Sequence, residues 1–129
     1  MSTPSITNED AGKTAGEVFV WLLQVVTAAL FFMASLPKLT GDPMMVALFE
    51  KIGLGQWLRF LTGALETLGG ILLLIPGVAG FGALLLIAVM MGAIITHLTV
   101  LGGSPEHAVE YLALSALVAW FRRNQFLRR

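Results

Sequence analysis

Cysteine is absent from all 129 residues, so the chain forms no disulfide, carries no thiol redox couple and cannot by itself hold an iron–sulfur cluster. Any redox electrons must then sit on a cofactor, a substrate or a partner. Charge is scarce too: charged residues make up 12%, about half the share in an average soluble domain. Walker, HExxH, GxSxG and dinucleotide-binding signatures are missing, which sets aside the common hydrolase and nucleotide-using classes, and no spacing marks a metal site. No internal repeat or low-complexity tract is evident. Eight basic and eight acidic residues balance. Arg122, Arg123, Arg128 and Arg129 crowd the C-terminus, a local excess that speaks for membrane orientation and against nucleic acid as a partner.

What is present is apolar. Hydrophobic residues reach 57% and the mean hydropathy is +0.83, which predicts an all-α integral membrane protein: a four-helix bundle of four spans with short connections and no separate soluble catalytic domain. Residues 1–16 are polar, small and mixed in charge, and read as a flexible tail; Glu9, Asp10 and Glu17 beside a lone Lys13 do not make the basic flank of a signal peptide. Residues 17–123 form the membrane domain and 124–129 a basic cytoplasmic tail. The first span runs from Val18 to Leu36 and is expected to kink or end at Pro37, leaving Lys38 at the boundary, either snorkelling to the headgroups or serving as the cation for an acid inside the bundle. Asp42-Pro43 then signals a short helix to Ile52, with Asp42 as cap and Gly53 as left-handed stop, too short to cross and expected to lie at the membrane surface or over the bundle mouth.

The stretch Trp57–Pro76 organises the rest. As a helix it rises about 1.5 Å per residue, enough for a hydrocarbon core roughly 30 Å thick, and it carries Glu66 near its middle. Gln56, Arg59, Gly63, Glu66 and Gly70 follow steps of three and four and share one face, while Phe60, Leu61, Leu65 and Leu68 cover the others. A carboxylate at that depth costs several kcal/mol or more unless it is neutral, paired with a cation or facing a wet cavity. Glu66 is therefore a functional group, or else an acid that fixes helix register through an interhelical hydrogen bond. Residues 76–80 make a tight turn into a third span, Phe81 to about Leu101, which holds adaptable Met90 and carries His97 one turn from its far end. Gly102-Gly103 breaks it, Ser104 and Pro105 start the fourth span to Phe121, and Glu110 and Tyr111 fall in that span's first turns.

The arginine cluster puts both termini of a four-span chain in the cytoplasm, in the inner (plasma) membrane, so that Lys38, Arg59, Glu66, His97 and Glu110 gather toward the outer half. From these groups we expect a pocket with Glu66, His97 and Lys38 as its chemical residues and with Arg59, Glu110, Tyr111, Gly63 and Met90 contributing to ligand binding.

The first-span ending FFMASLPKL with Lys38, the stretch LFEKIGLGQWLRFLTGALETLGGILLLIP and a glycine-bearing third span closing on His97 resemble the DoxX-like family of membrane proteins, over about residues 31–123. The resemblance implies a compact four-helix membrane protein tied to an oxidoreductase system, as in the membrane part of a thiosulfate:quinone oxidoreductase, with Lys38, Glu66 and His97 where the family keeps polar groups. Lack of cysteine and of an added soluble domain argues against independent thiosulfate chemistry. The leading expectation is a small membrane redox component that binds a quinone or similar lipophile among membrane lipids and works with an oxidoreductase partner protein or as a homo-oligomer. The alternative is a non-enzymatic scaffold or binding subunit that docks a partner. A small transporter is disfavoured, because the spans show no broken-helix pair and no inverted repeat.

Overall fold

The computed structural model describes residues 8–127, beginning with α1 (Asn8–Thr40), which is much longer than the single span expected of this segment. Two sequence expectations are corrected here. Residues 8–16 are helical rather than a loose tail, since each residue added to an existing helix contributes one backbone bond, and neither proline nor paired glycine interrupts the run up to Val18. The expected tail at 1–7 lies outside the described residues. The helix also continues through Pro37. Side chains add bonds to neighbouring carbonyls along this stretch: Ser35 Oγ donates to Phe32 O at 3.1 Å, Lys38 Nζ to Ala34 O at 3.4 Å and Thr40 Oγ1 to Leu36 O at 2.8 Å.

Helix α2 (Pro43–Ile52) has the expected bounds. Pro43 occupies its first turn and Gly53 closes it at φ 84°, a left-handed conformation that glycine adopts without a Cβ penalty. Asp42 stands at the N-cap position, but its side chain makes no cap bond. Helix α3 (Trp57–Leu73) buries Arg59, Gly63, Glu66, Gly69, Gly70 and Leu73, the face expected from the spacing, and leaves Phe60, Leu61 and Leu68 exposed. Helix α4 (Ala79–Thr96) starts two residues before Phe81 and passes into a wider π-helical turn at His97–Leu101, where Gly102 N–H reaches back to His97 O at 3.0 Å. Helix α5 (Glu106–Phe121) begins after Pro105, with no cap from the Ser104 side chain. The expected tail at 124–129 instead forms a last short turn, α6 (Asn124–Leu127), and residues 128–129 lie outside the described part.

Around the molecule α1 packs on α3, α3 on α4, α4 on α5, and α5 returns to α1. Phe31, Leu73, Ala83, Leu86 and Val118 fill the centre. Helices α3 and α4 approach closely, and a Cβ on Gly82 would lie 2.7 Å from Leu72 Cβ and 2.9 Å from Gly69 O. Only a residue without a side chain lets the two backbones sit at that separation. Helix α2 lies across one end, against α1, α3 and the π turn; α6 covers the other, against α4.

Around this apolar centre the burial pattern departs from that of a soluble domain. Gln24, Thr27, Ser35, Arg59, Glu66 and Ser115 are buried, whereas Met33, Leu98, Leu22 and Trp120 are among many large apolar side chains left exposed. Two helical stretches, Ala11–Thr40 and Ala79–Leu101, have the length and composition to cross a bilayer.

Candidate functional site

The site is built where α1 ends and α3 begins. Gly63 presents no side chain to α1, and a Cβ there would lie 2.9 Å from Leu39 Cδ2 and 3.2 Å from Lys38 Cβ. That close approach sets Lys38 against α3, one turn before Glu66. Lys38 Nζ donates to Glu66 Oε1 at 2.7 Å; Glu66 is fully buried and the Lys38 side chain 15% exposed. Glu66 Oε2 is also buried, and among the described residues it has no hydrogen-bond partner.

Arg59 holds this arrangement from behind. Its guanidinium donates to the Lys38 carbonyl and, through Nε, to Gln56 Oε1 at 2.8 Å, and it rests 4.2 Å from the Phe60 ring centroid. Gln56 Nε2 in turn donates to Val46 O at 3.0 Å, so α2, α3 and the end of α1 are joined in one polar chain. Thr67 Oγ1 lies 3.0 Å from Ser35 Oγ and 2.9 Å from Gly63 O, a second polar tie between the same helices.

Beside the ion pair lies a cavity of about 670 Å³, within the range of small-molecule sites. Of the residues named from the sequence, Lys38, Glu66, Met90, His97 and Tyr111 line it. Most of the remaining wall is apolar: Leu58, Leu61 and Leu65 from α3, Val89 and Ala93 from α4, and Met45, Leu48, Phe49 and Ile52 from α2, which roofs it. Lys51 Nζ donates to Leu101 O at 3.1 Å and ties that roof to the π turn that begins with His97. Tyr111 is steadied by an edge-on contact with Phe31, ring centroids 5.1 Å apart.

Three expected ligand-binding residues stand elsewhere. Arg59 braces the Lys38 backbone and Gly63 spaces the helices, neither of them in the cavity wall. Glu110 points outward, 68% exposed, with His107 Nδ1 3.9 Å from its carboxylate. Thr62, Thr96 and His107 do line the cavity and were not anticipated. Thr96 and His107 carry a sequence signal in retrospect, being polar residues close to the same helix ends as His97 and Tyr111. Among the described residues no group of three or more histidine or acidic side chains gathers to hold a metal ion.

A second polar cluster lies at the opposite end. Fully buried Gln24 donates through Nε2 to Leu73 O at 2.7 Å and accepts from Arg122 Nε at 2.6 Å, while Arg122 pairs with Glu17 at 2.8 Å and 3.2 Å. Gln125 Oε1 accepts the Gly80 N–H at 2.7 Å, and Phe126 meets Phe81 edge-on. These contacts satisfy one another around a space of about 110 Å³, too small for a sizeable organic ligand.

The sequence profile of the DoxX-like family matches residues 22–121, which takes in α3, α4, α5, the part of α1 from residue 22 onward and the cavity between them. The chain belongs to the DoxX-like family. That family is membrane-associated, in keeping with the two long apolar helices and the apolar exterior. Over 80 residues the chain is 31% identical to the Bacillus subtilis (strain 168) protein named "Putative oxidoreductase CatD". The matched part is 62% of this chain and 60% of that relative. No solved structure matches the chain.

Proposed function

We propose that this DoxX-like protein is a small multi-pass component of a membrane redox system, and that its cavity binds a quinone or a similar lipophile. The observation that carries the reading is the Lys38–Glu66 pair set into the wall of an otherwise apolar cavity, with one carboxylate oxygen left without a partner. A purely structural pair would be expected to satisfy both oxygens, because a buried acceptor without a donor costs about 1–3 kcal/mol. The redox assignment draws support from family membership and from the oxidoreductase name of the Bacillus relative. With 60% of that relative matched, its activity carries over as a proposal only.

In this reading the α2 and α3 side chains take an aromatic ring and its tail. Lys38 and His97 supply N–H donors to the ring's oxygens, and Tyr111 contributes its ring and hydroxyl on the α5 side. Glu66 passes a proton between the ring and the bundle interior. Met90 adapts the wall to the ring's outline. The four long helices cross the inner (plasma) membrane, α2 lies in the outer interface, and both termini face the cytoplasm on the strength of the C-terminal arginines.

The test is extraction of the full-length protein in mild detergent, followed by mass spectrometry of the lipids and proteins that come with it. A stoichiometric isoprenoid quinone that is lost from a Leu65→Trp variant, whose indole would fill the cavity, is the expected result. A stoichiometric partner protein with no small molecule would replace this reading with that of a docking subunit.

A further inference from the structure

The reading above names a ligand class but not its redox form, and the polar atoms of the cavity wall bear on that choice. Glu66 has two carboxylate oxygens, and Lys38 Nζ engages Oε1 at 2.7 Å. Oε2 keeps its whole accepting capacity, in a side chain that is fully buried. The Lys38 ammonium already directs N–H groups at Glu66 Oε1 and Ala34 O. One ammonium N–H is left over against the whole of Oε2, so the spare capacity at this pair is mainly that of an acceptor. A quinone carbonyl brought to Oε2 would set lone pair against lone pair, whereas a phenolic hydroxyl would supply the missing proton.

We infer that the occupant presents an O–H donor to Glu66 Oε2, so that the cavity selects the hydroquinone form of an aromatic lipophile over the oxidised quinone. This rests on the lipophile-binding reading and sharpens it. A hydrogen bond to a charged acceptor in a water-poor site is worth about tenfold or more in affinity. The apolar remainder of the cavity treats the two redox forms alike, because ring, methyl groups and tail are common to both. Elsewhere in the wall the hydroxyls of Thr62, Thr96 and Tyr111 and the His97 imidazole can each donate or accept and so serve either form, and Oε2 is the atom that favours the hydroquinone.

The experiment uses the full chain in lipid nanodiscs under anaerobic conditions, titrated by calorimetry with decylubiquinol, decylubiquinone and the dimethyl ether of the former, with empty nanodiscs as the blank. Decylubiquinol is expected to bind at least about tenfold tighter than the other two. In Glu66→Gln the amide oxygen accepts from Lys38 and the NH2 group replaces Oε2, turning the acceptor into a donor, so the preference should shrink or reverse toward decylubiquinone. Equal or tighter binding of decylubiquinone by the native protein would overturn the inference and leave the lipophile reading standing. So would a dimethyl ether that binds as well as decylubiquinol. Binding of none of the three above the blank would remove both. The native-protein comparison decides the matter even where the variant fails to fold.

Discussion

Lys38 and Glu66 are the residues on which stability and chemistry meet. Removing one partner of a buried pair strands the other charge, at about 3–5 kcal/mol, whereas removing both leaves an apolar contact of similar size. We expect Lys38→Met to lower stability in detergent by about 3 kcal/mol and the double variant Lys38→Met, Glu66→Leu to recover most of it, read from a thermal or denaturant double-mutant cycle. Additive losses would show that the two side chains do not act as a pair. Both residues were legible beforehand, because a lysine at the end of an apolar run and a glutamate in the middle of one each need a partner. Arg59 was legible as buried but not in its use. Its acceptor is the Lys38 backbone carbonyl, and no side-chain pattern announces where an orphan carbonyl at a helix end will lie. Glu110 misled for a simpler reason. Its depth along the chain matched that of Tyr111, but it lies about 100° around α5 from Tyr111, on the exposed side.

Among the elements, α3 followed its sequence most closely, since small and polar residues at steps of three and four define its buried face without ambiguity. The bounds of α2 were equally plain from Asp42-Pro43 and Gly53. Helix α1 was harder. Proline signals an end in water, but here hydroxyl and ammonium groups nearby cover the carbonyls around it. The π turn that begins at His97 has no periodic signature in the sequence. The α3–α4 contact yields a sharp expectation. Gly82→Ala should destabilise by about 1–3 kcal/mol, because backbone rather than a flexible side-chain tip stands in the way of the new methyl group. Gly92→Ala, with nothing within 4 Å, should be neutral or raise stability by about 0.5–1 kcal/mol through helix propensity. Melting temperatures of the two variants in one detergent check both. The tie between Lys51 and Leu101 O gives another: Lys51→Ala should speed amide hydrogen exchange across α2 while leaving α3 and α4 protected.

For the whole molecule, the proposed topology invites labelling, and a chain without cysteine supplies its own blank. A cysteine in place of Ser104 should react with an impermeant maleimide on intact cells, and one in place of Leu127, which is 67% exposed, only after the membrane is opened. The reverse result would invert the orientation and turn the cavity mouth toward the cytoplasm. The helices also differ widely in reach. Helix α1 has 33 residues, while α3 and α5 have 17 and 16. At about 1.5 Å per residue the two short ones measure roughly 24–26 Å, several ångströms less than an average hydrocarbon core. In the proposed topology a protein so built would pull the two leaflets toward each other where α3 and α5 stand, on opposite sides of the ring of helices, while α1 would tilt or stand proud on its own flank. Lipids with shorter acyl chains would relieve that mismatch, so the fold should melt at higher temperature in short-chain than in long-chain phosphatidylcholine. If the bilayer thins there, a hydrophobic molecule dissolved between the leaflets would have a shorter path from the membrane midplane to the cavity roofed by α2.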